Sequence, residues 1–369
     1  MRVPNRNIRP SQPPFTALLD LLCGWLLAGI VGGGLLFSCT TTGDLPTQPS
    51  TDDPREELLS QIDAADDLFD QRAFDDARQR YQAIYLAANS RRYDREAAEA
   101  AAMSAVALTM SNQVDEGKQW LDRAEEKANE SDERSWSRLL LARGVQRWKN
   151  RDALTARRTF IELYNYCFLH SLTPRAIQAA TLASLASQGQ EQLDWSMRAI
   201  QAAQTTGNIK WQAPLWSSHA WLLDSRGRAE EALEAFEKAR DLTGRVDISR
   251  LGRLQTDWAY GHGLRMVGKL AEARDLLEQT NAIAHSIYIA KPSPRAAEYL
   301  GRVLWEIGEI DDMEGNKERA RERFLAARSK MLEAGAAQGA PKLVEKLDAR
   351  LEALDAPPPA RRFTTPRRN

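Results

Sequence analysis

The sequence predicts an all-α protein, a right-handed α-solenoid of about seven helical hairpins closed by one further C-terminal helix. Three observations carry this. First, the 369 residues are 43% hydrophobic and 27% charged, dominated by Ala, Leu, Arg and Glu, the residues that helices favour. Second, Leu215 to Arg245, LWSSHAWLLDSRGRAEEALEAFEKARDLTGR, reads as two amphipathic helices hinged at Gly227. Trp216, Ala220 and Leu223 share one face of the first, and Ala229, Ala232, Leu233, Phe236 and Ala239 share one face of the second. Third, the same arrangement recurs along the chain. The anchors of the second helices are Ala77, Gly117, Ala156, Trp195, Ala232, Ala273 and Ala320, at steps of 37 to 47 residues. Twelve residues before each anchor stands a small residue: Ala65, Ala105, Gly144, Ala183, Ala220, Gly261 and Gly308. Four residues after five of them stands a bulky one: Tyr81, Phe160, Phe236, Leu277 and Phe324. Small residues where two helices cross, with large ones filling the gaps beside them, are what close packing requires.

The N-terminal part is sequence of another kind. Met1 to Pro14 carries Arg2, Arg6 and Arg9 and no acid, and Leu21 to Phe37, LLCGWLLAGIVGGGLLF, carries no charge. A basic start, an apolar stretch and Ser38 before a break predict an export signal or a membrane anchor over 1–39. About 17 apolar residues lie near the lower limit for spanning a bilayer of ~30 Å. Three readings stand side by side: a lipid-anchored protein, an uncleaved single span, and an ordinary cleaved signal. All three place the bulk of the chain outside the cytoplasm, because the arginines stay inside. Residues 40–55 are Thr-, Pro-, Ser- and Asp-rich and read as a flexible tether.

The repeats occupy 56–337. No hairpin buries its own apolar face, so stacking on neighbours must supply one continuous core. The capping helix falls within 338–356, with Leu343, Val344, Leu347, Leu351 and Leu354 on one stripe, Pro341 in its first turn and Pro357 beyond its end. The tail 357–369 is basic, with Arg361, Arg362, Arg367 and Arg368, and reads as disordered.

Composition excludes several functions. Basic and acidic residues balance at 50 against 51, which leaves no basic stripe for nucleic acid. Four histidines and three cysteines show no metal-ligand spacing. There is no phosphate loop, nucleophile elbow or zinc-protease helix, so no enzyme, catalytic residue, metal or cofactor is expected. Cys167 reads as a small buried hydrophobe, and Asp311 and Asp312 as solvated surface.

The order aromatic, small residue, turn glycine, alanine, aromatic, alanine in 215–245 resembles a tetratricopeptide (TPR) repeat, with a period near forty in place of ~34. The resemblance implies that the first helix of each hairpin lines a groove that binds segments of partner proteins. Counting from the small residues, the groove positions include Ser217 and Trp221, Trp258, His262 and Arg265, and Trp305, Glu309 and Asp312. Trp221, Trp258, His262, Arg265, Trp305 and Glu309 are therefore the candidate partner-binding residues, since Trp and Arg anchor many interfaces. Leu36-Phe37-Ser38-Cys39 resembles a bacterial lipobox. That resemblance implies lipidation of Cys39 by a diacylglycerol and a fatty acyl (palmitate-type) chain, and Thr40 after it implies the outer membrane. Together the two resemblances imply an envelope lipoprotein that scaffolds an assembly or secretion complex. The alternative expectation is a module that binds envelope glycan or another polymer by stacking on the groove tryptophans.

Overall fold

The computed structural model describes residues 53–355 apart from 208 and 247. The predicted signal, Cys39 and the basic tail lie outside the described residues. Among the described residues there are sixteen helices and no strand. They are α1 (Pro54–Asp70), α2 (Phe74–Ser90), α3 (Asp94–Met110), α4 (Val114–Lys127), α5 (Glu133–Lys149), α6 (Ala153–Leu169), α7 (Thr173–Ala186) and α8 (Gly189–Thr205). There follow α9 (Ile209–Asp224), α10 (Ala229–Gly244), α11 (Arg250–Met266), α12 (Leu270–Ala290), α13 (Pro294–Met313), α14 (Lys317–Glu333), the one-turn α15 (Ala336–Gly339) and α16 (Pro341–Asp355). None is long and apolar enough to cross a membrane.

The long repeat period goes into the helices: α1, α2 and α3 have 17 residues each and are joined by three-residue turns. Every first helix except α7 ends in a six-to-one bond of the Schellman type, such as Ala73 N to Leu68 O at 3.0 Å and Lys269 N to Leu264 O at 2.9 Å. That bond needs a left-handed residue at the turn. Gly227, Gly268 and Gly315 supply it late in the chain, whereas Arg72, Asn112 and Arg151 are held there at φ of 64° earlier on. Side-chain caps open several helices: Asp53, Asp132, Asp152, Ser249 and Ser293 each accept from a backbone N–H of the first turn.

The chain divides into two compact units, with the boundary in sequence after Leu222, within α9. In the first, α1 packs on α2, α3 on α4, α5 on α6 and α7 on α8, and successive hairpins join through α2–α3, α3–α5 and α6–α7. Helix α3 is buried on every side over 96–109, and its alanines let the neighbouring helices come close. In the second unit α11 packs on α12 and α13 on α14, with α10 on α11, α12 on α13 and α11 on α13 joining them. Helix α16 packs on α14 through Leu347, which is fully buried, while Leu343, Val344, Leu351 and Leu354 of its stripe are half-buried.

The crossing residues are buried at every repeat, Gly117 and Trp195 included. In three hairpins the glycine of the first helix receives the bulky residue of the second. A Cβ on Gly144 would lie 2.3 Å from Phe160 Cε1, one on Gly261 2.7 Å from Leu277, and one on Gly308 2.8 Å from Phe324. Helix α9 contains Pro214, whose carbonyl accepts from Ser218 Oγ at 2.9 Å.

Candidate functional site

Two hydrogen-bonded networks run along the first helices, one in each unit. The second-unit network holds most of the candidate partner-binding residues. Trp258, His262 and Arg265 fall at i, i+4 and i+7 on α11, and Trp305, Glu309 and Asp312 do so on α13, so each trio forms one stripe. His262 Nδ1 lies 3.0 Å from Glu306 Oε1, and its Nε2 3.4 Å from Asp224 Oδ2. Arg265 Nε donates to Glu306 Oε2 at 2.7 Å. One turn further along α13, the Trp305 indole N–H donates to Glu309 Oε1 at 2.9 Å. Glu309 is held in a two-pronged grip by Arg350 of α16, at 2.9 and 2.7 Å, and the same guanidinium reaches Asp312 at 2.7 Å. The fork of an arginine matches a carboxylate at both oxygens, which fixes direction as well as distance.

Burial on its own would push the His262 imidazole toward the neutral form. The Glu306 carboxylate and the bonds to Asp224 and Glu306 outweigh it and raise the pKa to about 9. Burial would raise Glu306, but His262 and Arg265 bring it down to about 2. His262 is thus an imidazolium at neutral pH, a structural cation and not a general base. Three cations, His262, Arg265 and Arg350, face four carboxylates, Asp224, Glu306, Glu309 and Asp312, so the face is nearly neutral and rigidly cross-linked.

The tryptophans differ in exposure. Trp258 is 7% exposed, packs edge-on against Tyr299 with ring centroids 6.4 Å apart, and lies under the Arg302 guanidinium at 5.2 Å. His262 is 9% exposed, so neither of these two offers more than an edge. Trp305, Glu309 and Arg265 are half-buried and remain reachable. In the first unit Trp221 and Ser217 are half-buried on α9.

Asp311 departs from the expectation of solvated surface. It is 2% exposed and accepts from Arg274 Nη2 at 2.9 Å, because its position faces α12 and not water. Cys167 is fully buried, and burial pushes its thiol up to about 12, which leaves it inert. No group of His, Cys, Asp and Glu among the described residues could hold a metal ion.

The first-unit network was not visible in the sequence. Glu99 of α3 is fully buried and accepts from Arg175 Nη2 of α7 at 2.8 Å and from Arg134 Nε of α5 at 2.9 Å, with Arg138 Nε at 3.6 Å. Burial would raise its pKa, yet the three guanidiniums hold it at about 2. Arg138 continues to Asp66 of α1, which also accepts from the Tyr81 hydroxyl. Beside them Asp70 has its pKa raised to about 7, first by burial and then by Asp66. One trace of this existed in the pattern: Glu99 and Arg138 both stand six residues before their crossing residues, Ala105 and Gly144.

No family model matches the chain, and no curated protein matches it. Solved structures do resemble it. The apo form of RapI aligns at a TM-score of 0.63 with 10% identity, over 80% of this chain and 87% of that one. A signal transduction ATPase with a tetratricopeptide repeat sensor, from Pyrococcus horikoshii, aligns at 0.60 with 12% identity over 82% of this chain. The match spans only 45% of the ATPase's length. A Rap protein complexed with competence and sporulation factor aligns at 0.50 with 13% identity, over 82% and 88% of the two chains. At these identities the likeness is one of fold, and the fold is that of tetratricopeptide-repeat proteins.

Proposed function

We propose that this chain is a scaffold that binds a protein or peptide partner along the first-helix face of α11 and α13, held at a membrane outside the cytoplasm by its N-terminal segment. The observation that carries the binding reading is Trp305. Its side chain is half-buried but reachable, and its indole N–H is fixed by Glu309, which Arg350 in turn grips at both oxygens. An aromatic anchor whose rotamer is already set loses little entropy when a partner covers it. One structural neighbour is a Rap protein in complex with competence and sporulation factor, in keeping with binding as the use of this fold. A glycan site would want several open indole faces in a row, and the burial of Trp258 removes the middle one.

The membrane setting rests on the sequence. The basic start, the uncharged run 21–37 and Ser38-Cys39 support a lipid anchor at Cys39, with the outer membrane of a bacterial envelope as its place. Several acyl chains, at about 0.8 kcal/mol per buried CH₂, make such an anchor stable.

A photo-crosslinking residue at Met313, exposed at the end of α13, tests the binding reading in cells. It should capture a partner, and Trp305→Ala and Glu309→Gln should each abolish the capture without changing the helical circular dichroism. Capture unaffected by both substitutions would remove this face as the binding site. Intact mass and membrane partition of wild type beside Cys39→Ala test the anchor. Loss of residues 1–38 with added acyl mass, absent in the variant, is the result expected.

A further inference from the structure

We propose that the turn between α6 and α7 in the first unit docks on the membrane surface to which the chain is tethered, inserting Phe168 and Leu169 among the lipids. This deepens the proposed function and rests on its tethered reading. Phe168 and Leu169 are adjacent at the end of α6 and are 71% and 79% exposed, the most exposed large apolar side chains among the described residues. They project where the chain bends through Ser171, which is held at φ of 57°. Tyr164 stacks on Phe168 at 6.1 Å between ring centroids, and Tyr166 stacks on His170 at 4.3 Å. Two apolar tips flanked by tyrosines and a histidine match the boundary between hydrocarbon and headgroups. Adjacent apolar side chains left in water mark an interaction surface.

The occupant follows from where the tether joins. The described chain begins at Asp53, at the start of α1, and a row of contacts ties that end to the turn. Arg55 lies over the Tyr93 ring at 4.6 Å, just before α3. Arg95, at the start of α3, meets Asp132, the N-cap of α5, at 2.7 Å. Glu133, at the start of α5, meets His170 at 3.1 Å, and the Tyr166 hydroxyl donates to the Glu130 carbonyl at 2.7 Å. The starts of α1, α3 and α5 and the end of α6 therefore share one edge. With packed helix axes roughly 8–10 Å apart, the turn lies on the order of 20–30 Å from the point of attachment. The stretch 40–54 spans at most ~50 Å when fully extended, enough to let this edge lie against the bilayer. On this edge Arg95 pairs with Asp132 and Lys127 with Asp94, while Arg91 and Arg92, in the turn that leads into α3, are exposed. The insertion itself is apolar and rests on Phe168 and Leu169.

The full chain is reconstituted in phosphatidylcholine vesicles doped with a phosphatidylcholine that carries a diazirine on its acyl chain. After irradiation, lipid adducts are mapped by mass spectrometry. Adducts are expected on the peptide covering 166–173 and separately at the N-terminal segment. Phe168→Ser with Leu169→Ser should cut the turn adducts by about tenfold, the effect of withdrawing two large side chains from hydrocarbon. The N-terminal adducts, the fraction of protein floating with vesicles and the thermal midpoint should all stay unchanged. Protein that floats with N-terminal adducts but none at the turn overturns the docking and leaves the tether standing. Protein that does not float overturns both. If the double substitution instead converts a dimer to a monomer in sedimentation, the turn joins two copies of the chain and the docking on lipid falls.

Discussion

Phe160 lies against the backbone of Gly144, so closely that a Cβ there would come within 2.3 Å of its ring. The second helix of the third hairpin thus reads the absence of a side chain on the first. Gly144→Ala should therefore destabilise the protein despite the better helix propensity of alanine, by about 1–3 kcal/mol, the usual cost of overpacking. Urea unfolding followed by circular dichroism measures it. Gly144→Ala combined with Phe160→Leu should recover part of the loss. A simple sum of two separate losses would show that the contact is not what sets the residue.

The left-handed turn residues make a prediction of the opposite sign. Arg72, Asn112 and Arg151 occupy a conformation that Gly227, Gly268 and Gly315 adopt without strain. A non-glycine residue there costs roughly 1–2 kcal/mol, offset in part by the larger unfolded-state entropy of glycine. Arg151→Gly should stabilise by about 0.5–1 kcal/mol, and Gly227→Ala should destabilise by a similar amount. Thermal unfolding of both variants checks the pair.

These relationships also explain what could be read ahead of the structure. A helix crossing is set by residues twelve to sixteen apart in sequence, so Gly144, Gly261 and Gly308 announce their partners locally. The ion networks have no such local signature. Glu99 meets Arg134, Arg138 and Arg175, which are 35, 39 and 76 residues away in the chain, so only the stacking of three hairpins brings them together. For the same reason Asp311 looked like solvated surface, since Arg274 lies in the preceding hairpin. Counting from the small residues puts the candidate partner-binding residues on α9, α11 and α13, but counting does not say which of them a neighbour covers. Trp258 lies under Arg302 and is buried, while Trp305 is only half-buried.

Asp70 predicts an unusual pH dependence. Its pKa rises from 3.8 to about 7 on folding, so the folded state holds a proton that the unfolded state has lost. Stability from this group is fully present below pH 3.8 and declines as pH rises to about 7. Asp70→Asn should remove that decline and raise the thermal midpoint at pH 8 relative to wild type, with little change at pH 4. A midpoint at pH 8 that falls would mean the Asp70 carboxylate is favourably held. Glu99 works the other way: its pKa falls from 4.5 to about 2, so its contribution is present above 4.5 and is lost as pH drops toward 2.

His262 and Glu306 form the most sensitive pair of the proposed binding face. The Glu306 carboxylate favours the protonated imidazole, so the pair's stabilising effect is complete below pH 6.5 and fades as pH rises through about 9. Glu306→Gln leaves the buried His262 with Asp224 as its remaining carboxylate and takes the Glu306 partner from half-buried Arg265, and should cost about 3 kcal/mol, the lower end for breaking a buried pair. It should also drop the His262 pKa, which a ¹H–¹⁵N titration of the ring reads directly. Trp305 is tied to Glu309 and Arg350, not to Glu306, so Arg350→Ala tests the binding face with the buried pair intact. That variant should keep the His262 titration of the wild type and still lose partner capture through Met313, because the indole is freed to rotate. Retention of capture would place the anchor elsewhere on the face.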